Sequence, residues 1–532
     1  MQTHHWPAQQ RVHTGECAIE QALPAELDRL GWRQVLVVTT RSLRDSPLCA
    51  RIRQAIGPRL HEIVADIPAH SPIDSVAALV ERCRGESGRG GAADAGKALD
   101  GIVALGGGSV IDACKGALLA INNGLAGRRP DGGLSAASLQ AATNPRVSEW
   151  PDRSQTRMIA IPTTLSAAEF TSFCGLTDTG AQRKISLGHP SMIPICVIQD
   201  PTATASTPAR LLLSTGARSV DHAIEGFCAT NASPFSDATA VEAGRRLFGA
   251  LPMLARADAP ASAHADAQAG AWLSIQGRAN GVSHGASHGI GYLLGAAFGV
   301  PHGETSCVML PAVLKWNALA NGDRQTVLGH RLDLSPDIPL ATHVENLFTS
   351  LGLPTRLSQV GVERGDFERL ADLYDGTGPI ATNPRPIRSR DDLLTILELA
   401  ALHMLPDTYR MTHAIRNTPS DADRLARHRL GRVHTTIESR HPRQGVARRD
   451  AQGCAKAGSP TFGPVSTKRS AGRGPSRRSR KRSAPCTDST VRTAPRANSH
   501  AIASMSSSAC PDFGRYQTVA QLSTPKKGLV DN

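Results

Sequence analysis

Three consecutive glycines, Gly106, Gly107 and Gly108, stand between an apolar run and a helical one. GIVALGGGS at 101–109 reads as a strand running into a tight turn, and VIDACKGALLAINNG after it reads as a helix. A helix start presents free backbone N–H groups, and glycines let a pyrophosphate come close to them. The turn is therefore a candidate dinucleotide site. GRGGAADAG at 88–96 precedes a strand and lacks that geometry. The end of the first strand, RQVLVVTT at 33–40, chooses the ribose. A carboxylate there would bind the 2′-hydroxyl, whereas an arginine suits a 2′-phosphate. Thr39, Thr40 and Arg41 stand there with no acid, which leans towards NADPH or mixed use. A surface arginine without a ligand fits equally well.

Four histidines, His222, His284, His288 and His302, form the other chemical grouping. His284 and His288 share a helix face at i and i+4. HGASH lacks the glutamate that a zinc peptidase needs between its histidines, so His284 is read as a supporting residue.

GGGSxxDxxK resembles the dinucleotide signature of the iron-containing alcohol dehydrogenase superfamily, with Gly106 to Ser109, Asp112 and Lys115 at its positions. PTT at 162–164, Lys184 and IQDP at 198–201 are similar to the same family's cofactor domain. The resemblance implies that Gly106, Gly107, Gly108, Ser109, Asp112, Thr163, Thr164 and Lys184 bind the cofactor, NAD(H) or NADP(H), with Thr40 and Arg41 at the ribose. After PTT this chain has LSAAEFT where the family has a glycine-rich run.

TGARSVDHAIEG at 215–226 and GASHGIGYLLGAAFGVPHG at 285–303 resemble the family's metal site. His222, His288 and His302 take the ligand positions for Fe2+ or Zn2+. The family's aspartate is replaced by Arg218, four residues before His222. A guanidinium repels a cation and has no lone pair to give. Asp221 is displaced by about 100° around the helix; it replaces the ligand only if the helix starts late. Tyr292 stands where many members carry a further histidine. The maleylacetate reductases resemble this arrangement, and that implies reduction of a keto-diacid without a metal. Arg218 would then hold a carboxylate or polarise the carbonyl. Tyr292 would donate the proton, and His288 would sit beside the reacting oxygen. Alternatively Arg218 pairs with Asp221 or Glu225 and faces away.

Strand and helix signals alternate up to QDP at 199–201, and helical runs follow. This organisation predicts an α/β nucleotide-binding domain over 1–207 and an all-α domain over 208–402, the iron alcohol dehydrogenase and dehydroquinate synthase architecture. Substrate is expected between the two. Residues 85–96 and 125–155 read as loops. The net charge of +13 is misleading, because it lies in the tail. From Asp421 to Asn532 there are 22 Lys/Arg and 7 Asp/Glu, whereas Met1 to Ser420 carries 37 and 39. Residues 403–532 read as a disordered basic tail with no period that builds a core, and with an out-of-frame origin as one alternative. Lack of interleaved aromatics speaks against nucleic-acid binding.

Eleven scattered cysteines without a CxxC fit a reducing cytoplasm. No apolar run is long enough for a membrane span. The expectation is an NAD(P)-dependent oxidoreductase acting on an alcohol, aldehyde or keto acid, assembled as a homodimer. A dehydroquinate synthase-like lyase and a non-catalytic relative with a nucleic-acid-binding tail are the alternatives.

Overall fold

The computed structural model describes residues 9–84, 99–125, 133–143, 156–181 and 183–402. The chain divides into two units, Met1–Arg432 and Val433–Asn532, and all described residues belong to the first. The expected basic tail, the loop at 85–96 and most of the loop at 125–155 lie outside the described residues.

Six strands make one parallel sheet: β1 (Arg11–Thr14), β2 (Val35–Val38), β3 (Leu60–Val64), β4 (Gly101–Gly106), β5 (Arg157–Pro162) and β8 (Cys196–Gln199). Between β5 and β8 an antiparallel hairpin intervenes, β6 (Phe173–Asp178) and β7 (Arg183–Gly188). The helices of this part are α1 (Ala18–Leu30), α2 (Pro47–Ile56), α3 (Ile73–Cys83), α4 (Gly108–Asn122) and α5 (Ala136–Ala142).

Alternate residues of each strand enter opposite cores. Leu36, Val38, Ile102, Ala104 and Met158 pack with α3 and α4. Val35, Val37, Val103, Leu105, Ile159 and Ile161 pack with α1 and α2. Both faces are covered, which is why the strands read as continuous apolar runs. The sheet order is β1-β8-β5-β4-β2-β3, so the winding reverses between β2 and β4. Thr39–Arg41 and Gly106–Gly108 emerge side by side at this switch point, where open α/β sheets bind ligands.

Beyond Gln199 no strand occurs among the described residues. The chain continues as α6 (Pro201–Ala205), α7 (Ala209–Cys228), α8 (Pro234–Leu254), α9 (Ala261–Ser274), α10 (Gln276–Ala279), α11 (Ala286–Phe298), α12 (His302–Arg331), α13 (Leu340–Ser350), α14 (Phe367–Asp372), α15 (Gly378–Ala381) and α16 (Arg390–Ala401). From Gly216 to Cys228 α7 is buried on every side, as expected of a central helix. Among the described residues no helix is long and apolar enough to cross a membrane.

Three features differ from the sequence-based expectation. The loop expected at 125–155 contains helix α5, started by a capping box at Ser135. IVADIPAH at 63–70 reads as the second strand, but that strand is Leu60–Val64, ending well before residue 70. The residues after it form a turn in which His70 and Ser71 have φ of +66° and +47°. β1 and the β6–β7 hairpin are additional. β1 has four residues and no fully buried one, so its pattern is too short to stand out.

Glu169 is buried behind this sheet with Oε2 unpartnered, and burial pushes its pKa up to about 7. A carboxyl raised above its ordinary 4.5 stabilises the fold fully below that value and loses the contribution as pH rises through about 7. The wild type should therefore lose up to about 3 kcal/mol relative to E169Q between pH 5 and pH 8. Denaturant unfolding across that range checks it, and parallel pH curves would refute it.

Candidate active site

The glycine turn leads straight from β4 into α4. Gly106 has φ +157°, and Gly107 precedes the first helical residue. A Cβ on Gly107 would stand 2.7 Å from Thr164 Cγ2, so only glycine lets the turn pack this closely against the threonine loop. Thr163 and Thr164 are buried on the next loop, and Thr163 N–H donates to the Gly106 carbonyl at 3.1 Å. Leu165 N–H donates to Thr215 Oγ1 at 3.1 Å and Ser219 Oγ donates to the Leu165 carbonyl at 2.5 Å. The threonine loop thus bridges the glycine turn and α7.

Arg218, Asp221, His222 and Glu225 lie on that helix, and all are buried. α12 crosses it at its first turn. A Cβ on Gly303 would lie 2.6 Å from the backbone of Ser214, so only glycine permits this approach. His302 begins α12 and is carried against Arg218, whose Nη1 donates to the His302 carbonyl at 3.3 Å and to Ser306 Oγ at 3.1 Å. The Tyr292 ring stacks on His302 with centroids 5.3 Å apart, and the Arg218 guanidinium lies 5.9 Å from the tyrosine centroid. Tyr292 is 37% exposed, the least buried of these side chains. Arg218 faces the histidines rather than turning away to pair with Asp221 or Glu225.

The carboxylates belong to a separate buried network. Asp221 accepts from Ser287 Oγ at 2.8 Å. Glu225 accepts from the N–H groups of Gly285 and Ser287 at 2.9 and 2.8 Å. His288 Nδ1 lies 2.7 Å from Glu225 and 3.4 Å from Asp221. Burial, then repulsion from Asp221, pushes Glu225 up to about 8, and burial pushes Asp221 up to about 6. The pair therefore holds a proton at neutral pH. His222, His284 and His288 stack with centroids 3.9 to 5.3 Å apart. Burial, reinforced by Arg218 among others, lowers the pKa of each, and His302 is lowered likewise. The four imidazoles are thus neutral, with the Arg218 guanidinium among the charges that keep them so.

His222 Nδ1, His288 Nε2 and His302 Nδ1 are buried and without a hydrogen-bond partner. That is a condition for ligating a metal, but the rest of the set does not fit one. The donor atoms of these three histidines do not gather within 4.8 Å of one another, whereas those of Asp221, Glu225 and His288 do. The latter group is already bonded by Ser287, Gly285 and its own internal contacts, with Asp221 Oδ1 left unpartnered. α7 starts at Ala209, so Asp221 sits deep within it and points to α11, not to the missing ligand position. Arg218 places a fixed positive charge against the start of α12 at His302, which disfavours a cation there.

Other expected cofactor residues are dispersed. Ser109 accepts from His70 N–H at 3.2 Å, and Asp112 accepts from Gly175 N–H at 3.0 Å. Lys184 reaches α11, with Nζ 3.4 Å from where a Gly295 Cβ would stand. Thr40 Oγ1 contacts Ser42 Oγ at 3.0 Å. Arg41 is 88% exposed and lies 3.9 Å from Asp66. Asp66 comes from beyond β3, and only the sheet order brings it beside Arg41. Glu225 and Asp221 were missed as partners of His288. Their i, i+4 spacing on α7 was the available signal.

The descriptions "Iron-containing alcohol dehydrogenase" and "Fe-containing alcohol dehydrogenase family, C-terminal" match residues 9–201 and 213–401. This chain belongs to the iron-containing alcohol dehydrogenase family. It is similar to a dehydrogenase of Gibberella moniliformis, 31% identical over 70% of this chain and 92% of that protein. Maleylacetate reductase 1 of Cupriavidus pinatubonensis is 29% identical over 73% and 94%. Among solved structures, maleylacetate reductase from Rhizobium sp. superposes with a TM-score of 0.59 at 25% identity, over 75% of this chain and 99% of that one. The chain is an NAD(P)-dependent oxidoreductase of alcohols or carbonyls, and the lyase alternative is set aside.

Two substitutions test this geometry. G107D places bulk and charge where the pyrophosphate would lie, and NADH affinity should fall at least roughly 100-fold. Fluorescence titration measures it, and unchanged affinity would remove the cofactor site. G303A should wedge α12 from α7, costing about 1–3 kcal/mol of stability and lowering turnover. Thermal unfolding and initial rates report both, and a wild-type rate would show that the crossing is not critical.

Proposed function

We propose that this enzyme reduces a carbonyl group in an acidic substrate, a keto acid of the maleylacetate kind, without using a metal. The observation that carries this reading is Arg218. It is 6% exposed, and among the described residues no carboxylate lies within ion-pair distance of it. A buried guanidinium held only by a carbonyl and a hydroxyl retains unused donors. Desolvating it is costly unless an anion completes it. A substrate carboxylate, or the oxyanion that forms as the carbonyl is reduced, does so.

In the reaction proposed, the α/β part (1–207) binds the dinucleotide at Gly106–Ser109, with Thr163, Thr164 and Lys184 towards the nicotinamide ribose. The helical part (208–402) supplies the carbonyl site. When bound, the dinucleotide would supply the hydride to the carbonyl carbon, while the carbonyl oxygen takes a proton to become the alcohol. Arg218 stabilises the developing charge. Tyr292, beside Arg218 and His302, donates the proton from its hydroxyl. His222, His288 and His302 are neutral and line this site. At the adenine ribose, Arg41 suits a 2′-phosphate and Asp66 a 2′-hydroxyl, so both NADPH and NADH are accepted.

The test is initial rates with maleylacetate and with uncharged aldehydes, using each cofactor, before and after treatment with a chelator. The expected result is preference for the acid and no effect of the chelator. Chelator-sensitive aldehyde reduction would overturn the reading. R218M should lower kcat/KM for the acid roughly 100-fold, the loss of a charge-assisted contact worth about 3 kcal/mol. R218D should also raise affinity for Fe2+ or Zn2+, measured by metal content after dialysis. No change in either would place Arg218 outside the reaction.

A further inference from the structure

The polar residues on the first turns of α4 do not all face the dinucleotide turn at its start. Asp112 accepts from Gly175 N–H at 3.0 Å. Lys115 is fully buried and donates to the carbonyls of Ala168 and Phe173 at 2.5 and 2.6 Å and to Thr171 Oγ1 at 3.1 Å. A buried ammonium persists only because three oxygens accept its three protons. Asp112 and Lys115 are three apart and share one helix face. Together they grip residues 168–175, the entry into β6.

Among the described residues β6 pairs along its length with β7, with one isolated bridge from Thr177 to Pro72. A two-stranded hairpin is marginal by itself and needs outside anchors. Its further anchor leads back to the same helix. Thr177 donates through N–H to the Ser71 carbonyl and through Oγ1 to the His70 carbonyl, at 3.2 and 2.7 Å. Ser71 Oγ donates to the Ser109 carbonyl at 2.7 Å, and His70 N–H donates to Ser109 Oγ. Thr177 is the cross-strand partner of Lys184. Whatever places β6 therefore places Lys184, which crosses to Gly295 of α11, one turn beyond Tyr292.

We propose that Asp112 and Lys115 are positioning residues, touching neither cofactor nor substrate, which hold the β6–β7 hairpin so that Lys184 reaches the nicotinamide end of the site. The proposal rests on the reading of Lys184 as a cofactor contact. It gives the aspartate and lysine of the GGGSxxDxxK pattern a mechanical role, separate from that of the glycines.

A double-mutant cycle on the full chain tests it, with NADH affinity read by fluorescence titration in the absence of carbonyl substrate. K184M should weaken NADH roughly tenfold and D112A roughly fivefold. D112N should bind as wild type does, because its amide oxygen still accepts from Gly175. In the K184M background D112A should add no further loss. An equal loss in both backgrounds overturns the proposal, since Asp112 would then act on the cofactor without Lys184. Unchanged binding by D112A also overturns it. Normal binding by K184M overturns it by removing the role of Lys184. No turnover is measured, so failure of the keto-acid reading would leave the cycle interpretable.

Discussion

The site depends on how closely α12 can approach α7. Gly303 meets the Ser214 backbone with no space for a side chain. Interhelical distances are set by the side chains at the contact, and here one partner has none. The approach brings the His302 carbonyl within reach of Arg218, and His302 in turn stacks on Tyr292. The three residues come from three helices, α7, α11 and α12, and this contact is what gathers them.

Charge is sorted around that crossing. The carboxyls of Asp221 and Glu225 turn towards α11, where serine, backbone N–H groups and His288 bond them, leaving Asp221 Oδ1 buried without a partner. Arg218, on the same helix, turns towards α12. A metal site of this fold family would want a carboxylate among the histidines. Here the available carboxylates are committed elsewhere, and a cation stands near His302. In the proposed keto-acid site, one residue type on α7 would change which partner completes the pocket, from a cation to an anion.

The sheet was legible because both its faces are covered. RQVLVVTT, GIVALGGGS and RMIAIPTT are continuous apolar runs, and each contains a strand of the observed sheet. The glycine turn was legible because a strand ending in three glycines before a helix has few other uses. β1 was not, since four half-exposed residues carry no period. The β6–β7 hairpin was also missed. It is held by Asp112, Lys115 and Ser71 from distant parts of the chain, not by a local signal.

The sequence by itself determined the fold class, the family and the presence of Arg218 where an acid is expected. These are properties of residue type and local order, which periodicity and spacing record directly. Only the tertiary structure decided which way Arg218 points, which acids pair with His288, and that Asp66 stands beside Arg41. Each of these depends on where another helix or strand crosses. Such crossings are set by packing between segments far apart in the chain, which leaves no periodic trace in either segment alone.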